Sequence, residues 1–203
     1  MFLPCEGAEG YGKASQNAGT RIQVASQGRK GKYTYLKAFS YTDGGTSHTL
    51  TMMKSVSETT LTAAAVAAQA DVVLAADPGT TSTGAIAAND LVCIKKPNGD
   101  WHFGKVSSWT AGTLTLTLTA NVPTGGFASG ARVLFYGAPS DSDHANFQFA
   151  SLATSSIKNF PPVEKGGILM KSRTTDEPII LDSNNASNAG TIEFHEYVFS
   201  RVG

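Results

Sequence analysis

Residues 113–119 are TLTLTLT, in which threonine and leucine alternate without a break. Successive side chains of a β-strand point to opposite faces of the sheet, so this alternation predicts a strand with one apolar face and one hydroxyl face. We expect the leucines to face a core and the threonines to face outward. The segment therefore predicts a half-buried β-sheet, and the sequence on either side of it extends that sheet.

Residues 89–109, NDLVCIKKPNGDWHFGKVSSW, place two apolar runs on either side of a Pro-Asn-Gly-Asp bend. The pair Asn98-Gly99 is a strong hairpin signal, because both residues tolerate the left-handed conformation that a type I′ turn requires. Strands over 90–96 and 101–109, followed by 113–119, predict a three-stranded meander. The polar residues near the bend are interpreted as a solvent-facing turn rather than as a catalytic or sugar-binding site.

Strand-like runs recur on both sides of this meander and together predict an all-β fold. The DGGTS segment between runs 32–42 and 48–57 predicts a hairpin, because glycine supplies the positive φ of a tight reversal. The alanine-rich segment 61–79 has high helix propensity but lies between threonines and a DVVLA run, so we predict one short turn or helix there. The other predicted strands are 20–26, 132–137, 145–151, 167–172, 177–183 and 191–202.

The predicted elements divide the 203 residues into four segments. Residues 1–19 are rich in Gly, Ala and Asn without periodicity, which predicts an irregular, extended N-terminal arm. Residues 59–137 predict a compact β-sandwich or barrel-like module. Residues 20–58 and 138–203 would together form a second β unit, whose second part ends in a long C-terminal strand. A chain of this length can bury a sizeable core.

Charge and composition restrict the classes of function. Charged residues make up 16% of the chain, where about 25% is usual, and the formal net charge is zero. Proteins that bind nucleic acid normally carry a basic stripe, whereas the basic cluster GRKGK at 28–32 is interpreted as a solvated loop. Low net charge weakens self-repulsion and so favours dense packing against copies of the same chain.

The first ten residues, MFLPCEGAEG, lack the basic and apolar regions of a secretory signal peptide. No stretch approaches 18 consecutive apolar residues, so no transmembrane helix is predicted. We therefore expect a soluble chain that is made in the cytoplasm. Its two cysteines, Cys5 and Cys93, could form one disulfide or none, and the apolar surroundings of Cys93 predict a buried thiol.

The motifs that carry catalysis or cofactor binding in other proteins are incomplete here. GAEGYGKAS at 7–15 has the spacing G-x-x-x-x-G-K, but Ala14 stands where a P-loop needs a hydroxyl for magnesium, and no helix is predicted after it. DSDH at 141–144 lacks the rest of a calcium loop and is interpreted as a polar turn. The adjacent acids Asp176 and Glu177 precede a proline and are interpreted in the same way.

The histidines also lack the neighbours that a zinc site or a catalytic triad needs. They are His48, His102, His144 and His195. We interpret each as structural or exposed. The sequence thus predicts a non-enzymatic protein with no catalytic residue, no metal site and no cofactor.

Aromatic residues on predicted strands could form either a sugar-stacking platform or a core and subunit interface. The residues concerned are Trp101, Trp109, Tyr33, Tyr35 and Tyr41. Because aromatic residues on β surfaces are more often core or interface residues, we favour the second interpretation.

The segment 59–137 has a recognisable order of motifs: TTLTAAAVAAQADVVLA, AANDLVCI, GKVSSW, GTLTLTLTANVP and FASGARVLFYG. This order resembles a β module that recurs in virion proteins of tailed bacteriophages. In that module a Gly-Asp pair usually begins the strand that corresponds to AANDLVCI, and the pair in this position here is Asn89-Asp90. The resemblance implies a structural role in a phage particle, and we expect a decoration or cement protein on the head shell.

The resemblance also implies where the chain is found and what it contacts. We expect it in the virion, bound to the major capsid protein or other virion proteins and to copies of itself, with a trimer favoured because shells offer three-fold positions. We expect neither a membrane nor a nucleic acid partner. The N-terminal arm would order on the shell and clamp adjacent subunits. The candidate interaction residues are Met1, Phe2, Leu3, Tyr11, Trp101 and Trp109.

Three alternatives remain open at this point. The first is a structural protein of the neck, tail or baseplate of the same kind of particle. The second, from another class, is a glycan- or receptor-binding module that uses the Trp and Tyr residues. The third is a small hydrolase whose catalytic acids are scattered along the chain.

Overall fold

The computed structural model describes residues 7–15, 30–42, 48–79, 85–137, 147–152, 157–160, 170–183 and 191–200. Over those ranges the chain is almost entirely β, as the alternating patterns predict, and its helical content is the three-residue 3-10 turn Ala111–Thr113. In chain order the strands are β1 (Gly7–Ser15), β2 (Lys32–Thr42), β3 (His48–Met53), β4 (Ser57–Thr60), β5 (Asp71–Val73), β6 (Leu91–Lys95), β7 (Trp101–Thr110), β8 (Thr115–Leu118), β9 (Arg132–Gly137), β10 (Phe147–Leu152), β11 (Ile157–Phe160), β12 (Met170–Lys171), β13 (Ile180–Ser183) and β14 (Thr191–Ser200).

The chain divides into two compact units. One comprises Ser55–Ala145, and the other comprises Met1–Lys54 with Asn146–Gly203. Within the described ranges, no helix has the length and apolar character needed to cross a membrane.

The unit Ser55–Ala145 contains a six-stranded antiparallel sheet in the order β4-β9-β6-β7-β8-β5. The predicted meander is confirmed, since β6, β7 and β8 are consecutive neighbours. The chain just after β4 also bridges the chain just after β5: Thr62 N donates to Val73 O (2.9 Å) and Ala75 N donates to Thr60 O (2.8 Å). The sheet therefore curls into a half-barrel whose two edge strands are held to each other.

The alanine-rich segment contributes to this closure and forms no helix over 61–79. Its residue Ala65 exchanges two backbone hydrogen bonds with Phe127, each 2.8–2.9 Å long. Helix propensity is a weak local preference that tertiary pairing overrides, and here the backbone groups that a helix would use internally are committed to barrel closure. Of the two predicted alternatives, turns are correct and the helix is wrong.

The concave side of the sheet holds one apolar core. On β8, Leu116 and Leu118 are buried in it while Thr115 and Thr117 are half-buried on the opposite face, so the predicted orientation of the Thr-Leu repeat is confirmed. The fully or almost fully buried members of this core are Leu61, Ala65, Val72, Leu74, Ile86, Val92, Ile94, Val106, Leu116, Leu118, Val122, Phe127, Val133 and Phe135.

The turn before β6 explains the Asn-Asp pair of the sequence. Asn89 has a φ of 77°, a left-handed conformation that glycine adopts freely and that asparagine tolerates better than most residues. Asp90 is buried, and its carboxylate accepts a 2.9 Å hydrogen bond from Ala87 N. Asparagine can therefore occupy the position that glycine usually holds in the Gly-Asp pair of the phage β module.

Replacing Asn89 with glycine should leave the stability unchanged or raise it slightly, whereas alanine should lower it by about 1 kcal/mol. Alanine has neither the backbone freedom of glycine nor the local hydrogen bonding of asparagine. Urea unfolding of both variants beside the parent chain measures the difference. Equal losses for glycine and alanine would show that the Asn89 side chain, rather than its φ, matters.

The other unit contains two sheets. In the first the strand order is β1-β14-β2-β11, with β12 also paired to β2, and in the second it is β10-β3-β13. The predicted irregular arm requires correction over part of its length: Gly7–Ser15 is a strand that pairs along β14, from Gly7 opposite Phe199 to Ser15 opposite Thr191. Residues 1–6 and 16–19 lie outside the described residues.

The predicted hairpin between β2 and β3 is also wrong. β2 pairs with β14 over its whole length and with β11 and β12 on its other edge, so β3 lies in a different sheet. A turn signal favours pairing of sequence neighbours, but both edges of β2 are occupied by strands that come later in the chain. The predicted strand 20–26 lies outside the described residues.

Candidate functional site

The bend between β6 and β7 is a tight turn with a glycine in the left-handed region. Gly99 N donates to Lys96 O (3.0 Å) and Lys96 N donates to Asp100 O (2.8 Å). Gly99 has a φ of 90°, whereas Asn98 has no positive φ. This is a type I turn with Pro97 at its second position, followed by a left-handed glycine, and not the predicted type I′ turn. Proline favours this geometry because its ring fixes φ near that of a type I turn.

The polar side chains at the bend close the turn. Asn98 Nδ2 donates to Asp100 Oδ2 (2.8 Å), and Asp100 N donates to Asn98 Oδ1 (3.1 Å). Lys96 Nζ lies 3.8 Å from the same carboxylate oxygen. Asparagine and aspartate favour turns for this reason, because their side chains mimic backbone hydrogen bonds.

The two tryptophans lie on opposite faces of β7. Trp101 is opposite Lys95 on the outer face, while Trp109 is opposite Leu116 and packs against the core. Their even spacing in sequence would put them on one face, but a bulge between Val106 and Ser108 inserts one residue and reverses the alternation. The two side chains therefore do not form one aromatic platform.

Trp101 itself is buried beneath cations. Lys95 Nζ lies 4.5 Å and Arg132 Cζ 5.9 Å from its ring centroid. Arg132 Nη2 also donates to Glu58 Oε2. Cation–π contacts of this kind stabilise the position of the ring. The indole is therefore a packed part of the barrel wall, at 2% exposure.

The other candidate interaction residues belong to the N-terminal segment of the chain. Tyr11 lies on β1 opposite His195. Met1, Phe2 and Leu3 lie outside the described residues, as does the DSDH segment. Tyr33, from the aromatic set, lies beneath Lys171 Nζ at 4.5 Å.

The outer surface of β5, β8 and β7 forms a hydroxyl-rich patch, which we call the hydroxyl face. Cross-strand partners share a face of a sheet, so the two rows Asp71–Thr117–Ser108 and Val73–Thr115–Thr110 lie together on it. Thr117 Oγ1 donates to Asp71 Oδ1 (2.7 Å). Asp71 is the single formal charge among these six residues. The Thr-Leu repeat predicted the threonines of this face, but not the residues of β5 and β7 that extend it.

A pocket of about 210 Å³ lies between the β6–β7 turn and the turn before Phe127. No sequence pattern predicts it, because its two walls are far apart in the chain. The lining residues are Lys96, Pro97, Asn98, Thr124, Gly125 and Gly126.

His102 lies on the inner face of β7, opposite Ile94, with its ring centroid 5.4 Å from that of Phe127. Burial, and secondarily the nearby Lys96 ammonium, lowers the pKa of this imidazole below its ordinary value of 6.5. Within the described part of the chain its buried Nε2 has no hydrogen-bond partner. The geometry favours a neutral, packed histidine rather than a catalytic one.

Acid should therefore destabilise the unit that contains His102. Since its pKa is lower in the folded state, the unfolded chain takes up the proton first as the pH falls through about 6.5, and stability that is present above that pH is lost below it. We expect the urea midpoint to fall more between about pH 7.5 and about pH 5 in the parent chain than in His102→Gln. An equal fall in both chains would contradict this role for His102.

The remaining motifs of the sequence have structural roles where they are described. The P-loop-like segment is strand β1, which is incompatible with a phosphate-binding loop. Glu177 is buried, and its Oε2 accepts from Thr174 N (2.7 Å), which closes the turn that also contains Asp176. Among the described residues, no three His, Cys, Asp or Glu side chains are grouped so that they could hold a metal ion.

Comparisons with known proteins give distant likenesses. No protein-family model matches the chain, and no curated protein matches it. Among solved structures, VP17, a capsid protein of bacteriophage P23-77, has 12% identity and a TM-score of 0.26, with 95% of this chain and 96% of that chain covered. The complex of VP16 and VP17, the two major capsid proteins of that phage, gives 13% identity and a TM-score of 0.25 over 95% of this chain and 99% of that chain. TM-scores this low do not indicate a common fold, so these likenesses say nothing about what this chain does.

Proposed function

We propose that the chain is a non-enzymatic structural component of a tailed-phage virion, and within that class a decoration or cement protein on the head shell. The observation that carries the proposal is that the motifs shared with the phage β module are the ones that build the half-barrel. Asn89-Asp90 forms the turn before β6, the Thr-Leu repeat forms β8, and RVLFYG is β9. Each motif thus has a specific structural role in the half-barrel of this chain.

The surface of the barrel suits a packing role. The hydroxyl face carries short, stiff Thr and Ser side chains and one charge, so little side-chain entropy would be lost when a partner covers it. Val66 is 66% and Val73 is 41% exposed, and Val73 lies within this face. Short polar side chains beside an exposed apolar one are compatible with a buried contact to the major capsid protein or to another copy of the chain.

The N-terminal clamp is shorter in this proposal than the arm of residues 1–19 that the sequence predicts. Because β1 pairs along β14, deletion of residues 1–19 would remove a strand from its sheet and expose the edge of β14. In this proposal the clamp is therefore limited to the residues that precede β1. Met1, Phe2 and Leu3 stay in it as candidate contacts.

The proposal is tested by co-sedimentation of the purified chain with phage heads that lack it. We expect saturable binding in many copies per head, and markedly weaker binding for a chain that lacks residues 2–6. Unchanged binding of that short truncation would contradict the clamp. Absence of binding by the full chain to heads would contradict the decoration role and favour the neck, tail or baseplate alternative, if isolated tails bind it instead.

A further inference from the structure

The pocket between the β6–β7 turn and the turn at Thr124–Gly126 has the size of one side chain. Its volume is about 210 Å³, below the roughly 300–1,000 Å³ of pockets that enclose drug-sized ligands. None of its six lining residues is acidic. The nearest carboxylate described beside it is that of Asp100, which is already paired with Asn98 Nδ2 and with Lys96 Nζ.

The lining offers hydrogen-bond donors. Lys96 contributes an ammonium whose pairing with Asp100 is long, at 3.8 Å, and open to solvent, so that pairing holds it weakly. Thr124 and Gly125 lie opposite and are both exposed. In the described part of the chain neither the Thr124 hydroxyl nor the Gly125 N–H has a hydrogen-bond partner. An ammonium, a hydroxyl and an amide together match the oxygens of a carboxylate.

The rest of the wall consists of Pro97, Gly126 and Asn98, and the Asn98 side chain is already hydrogen-bonded to Asp100. Pro97 has a rigid ring, and the two glycines present no side chain to narrow the opening. Gly126 is held by a hydrogen bond from its N–H to Pro123 O (2.9 Å), and the Ala65 carbonyl oxygen leaves no room for a Cβ at this position. Such a wall suits the methylene groups that precede a carboxylate in an acidic side chain.

We propose that this pocket binds the side chain of a glutamate on a partner protein, with Lys96, Thr124 and Gly125 donating to its carboxylate and Pro97 contacting its methylenes. This inference deepens the proposed function. It rests on that function only in taking the partner to be another virion protein. Charge complementarity between Lys96 and the glutamate carboxylate then supplies specificity for the partner.

The test is an amide NMR titration of the full-length, ¹⁵N-labelled chain with the capped peptide Gly-Glu-Gly, and with Gly-Gln-Gly as the matched neutral ligand. We expect saturable shifts at Gly125 and Gly126 with the glutamate peptide, with a dissociation constant of about 1 mM, and none with the glutamine peptide. Inorganic phosphate and acetate serve as further probes. Binding of phosphate as tightly as the glutamate peptide would overturn the assignment to an acidic side chain.

Two lysine variants separate this pocket from general charge effects. Lys96→Gln should weaken binding of the glutamate peptide by about tenfold or more, whereas Lys95→Gln, which removes the same charge beside Trp101, should change it less than about twofold. Equal losses in the two variants, or shifts that do not saturate, would overturn the proposal. These outcomes are independent of head binding by the whole chain, so either proposal can fail while the other holds.

Discussion

Replacing Phe135 with alanine should lower the free energy of unfolding of the barrel unit by about 3–5 kcal/mol. Phe135 is fully buried, on β9 between β4 and β6, and it faces the one apolar core of the half-barrel. Truncation removes its transfer free energy and leaves a cavity that the strands on either side cannot close. Urea unfolding followed by circular dichroism measures the change.

The matched control is Phe103→Ala. Phe103 is half-buried on the outer face of β7 and is not part of that core, so the same truncation there should cost clearly less. Similar losses at the two positions would mean that the concave core is not the main source of stability in this unit.

Replacing Gly126 with alanine should cost about 2–5 kcal/mol. Gly126 has a φ of 65°, and a Cβ there would lie 2.5 Å from the carbonyl oxygen of Ala65. That oxygen accepts the Phe127 N–H at 2.8 Å, so the new atom would push apart the bridge that closes the barrel. The obstacle is backbone and cannot move aside as a flexible side chain could.

Gly130 provides the control, because it has a φ of 73° and open space where a Cβ would lie. Gly130→Ala should therefore cost about 1–2 kcal/mol, the conformational part alone. The difference between the two variants in thermal or urea unfolding isolates the steric part. If Gly126→Ala cost no more than Gly130→Ala, the described approach of Ala65 to Gly126 would be wrong.

Several strands in both units could be predicted from sequence because they carry strong local patterns. The Thr-Leu repeat fixed the faces of β8, and the predicted runs 32–42 and 132–137 coincide with β2 and β9. In each case the alternation of apolar and polar residues, or a run of β-branched and aromatic residues bounded by glycine, determines the local structure.

Other features depend on residues that are distant in the chain. β14 pairs with both β1 and β2, which lie far from it in the sequence. No local pattern predicts these pairings, and they leave β2 without the predicted hairpin partner β3. The bulge in β7 has no clear signature in the sequence, yet it moves Trp109 to the face opposite Trp101. The pocket could not be predicted either, because Lys96 and Thr124 are distant in sequence and come together only in the folded sheet.

Immunogold electron microscopy of phage particles with an antibody against this chain tests the central claim most directly. We expect label scattered over the heads in many copies, because a decoration protein repeats across the shell. Label confined to one vertex or to the tail would replace the decoration role with a neck or tail role. Particles without label would contradict a virion function altogether.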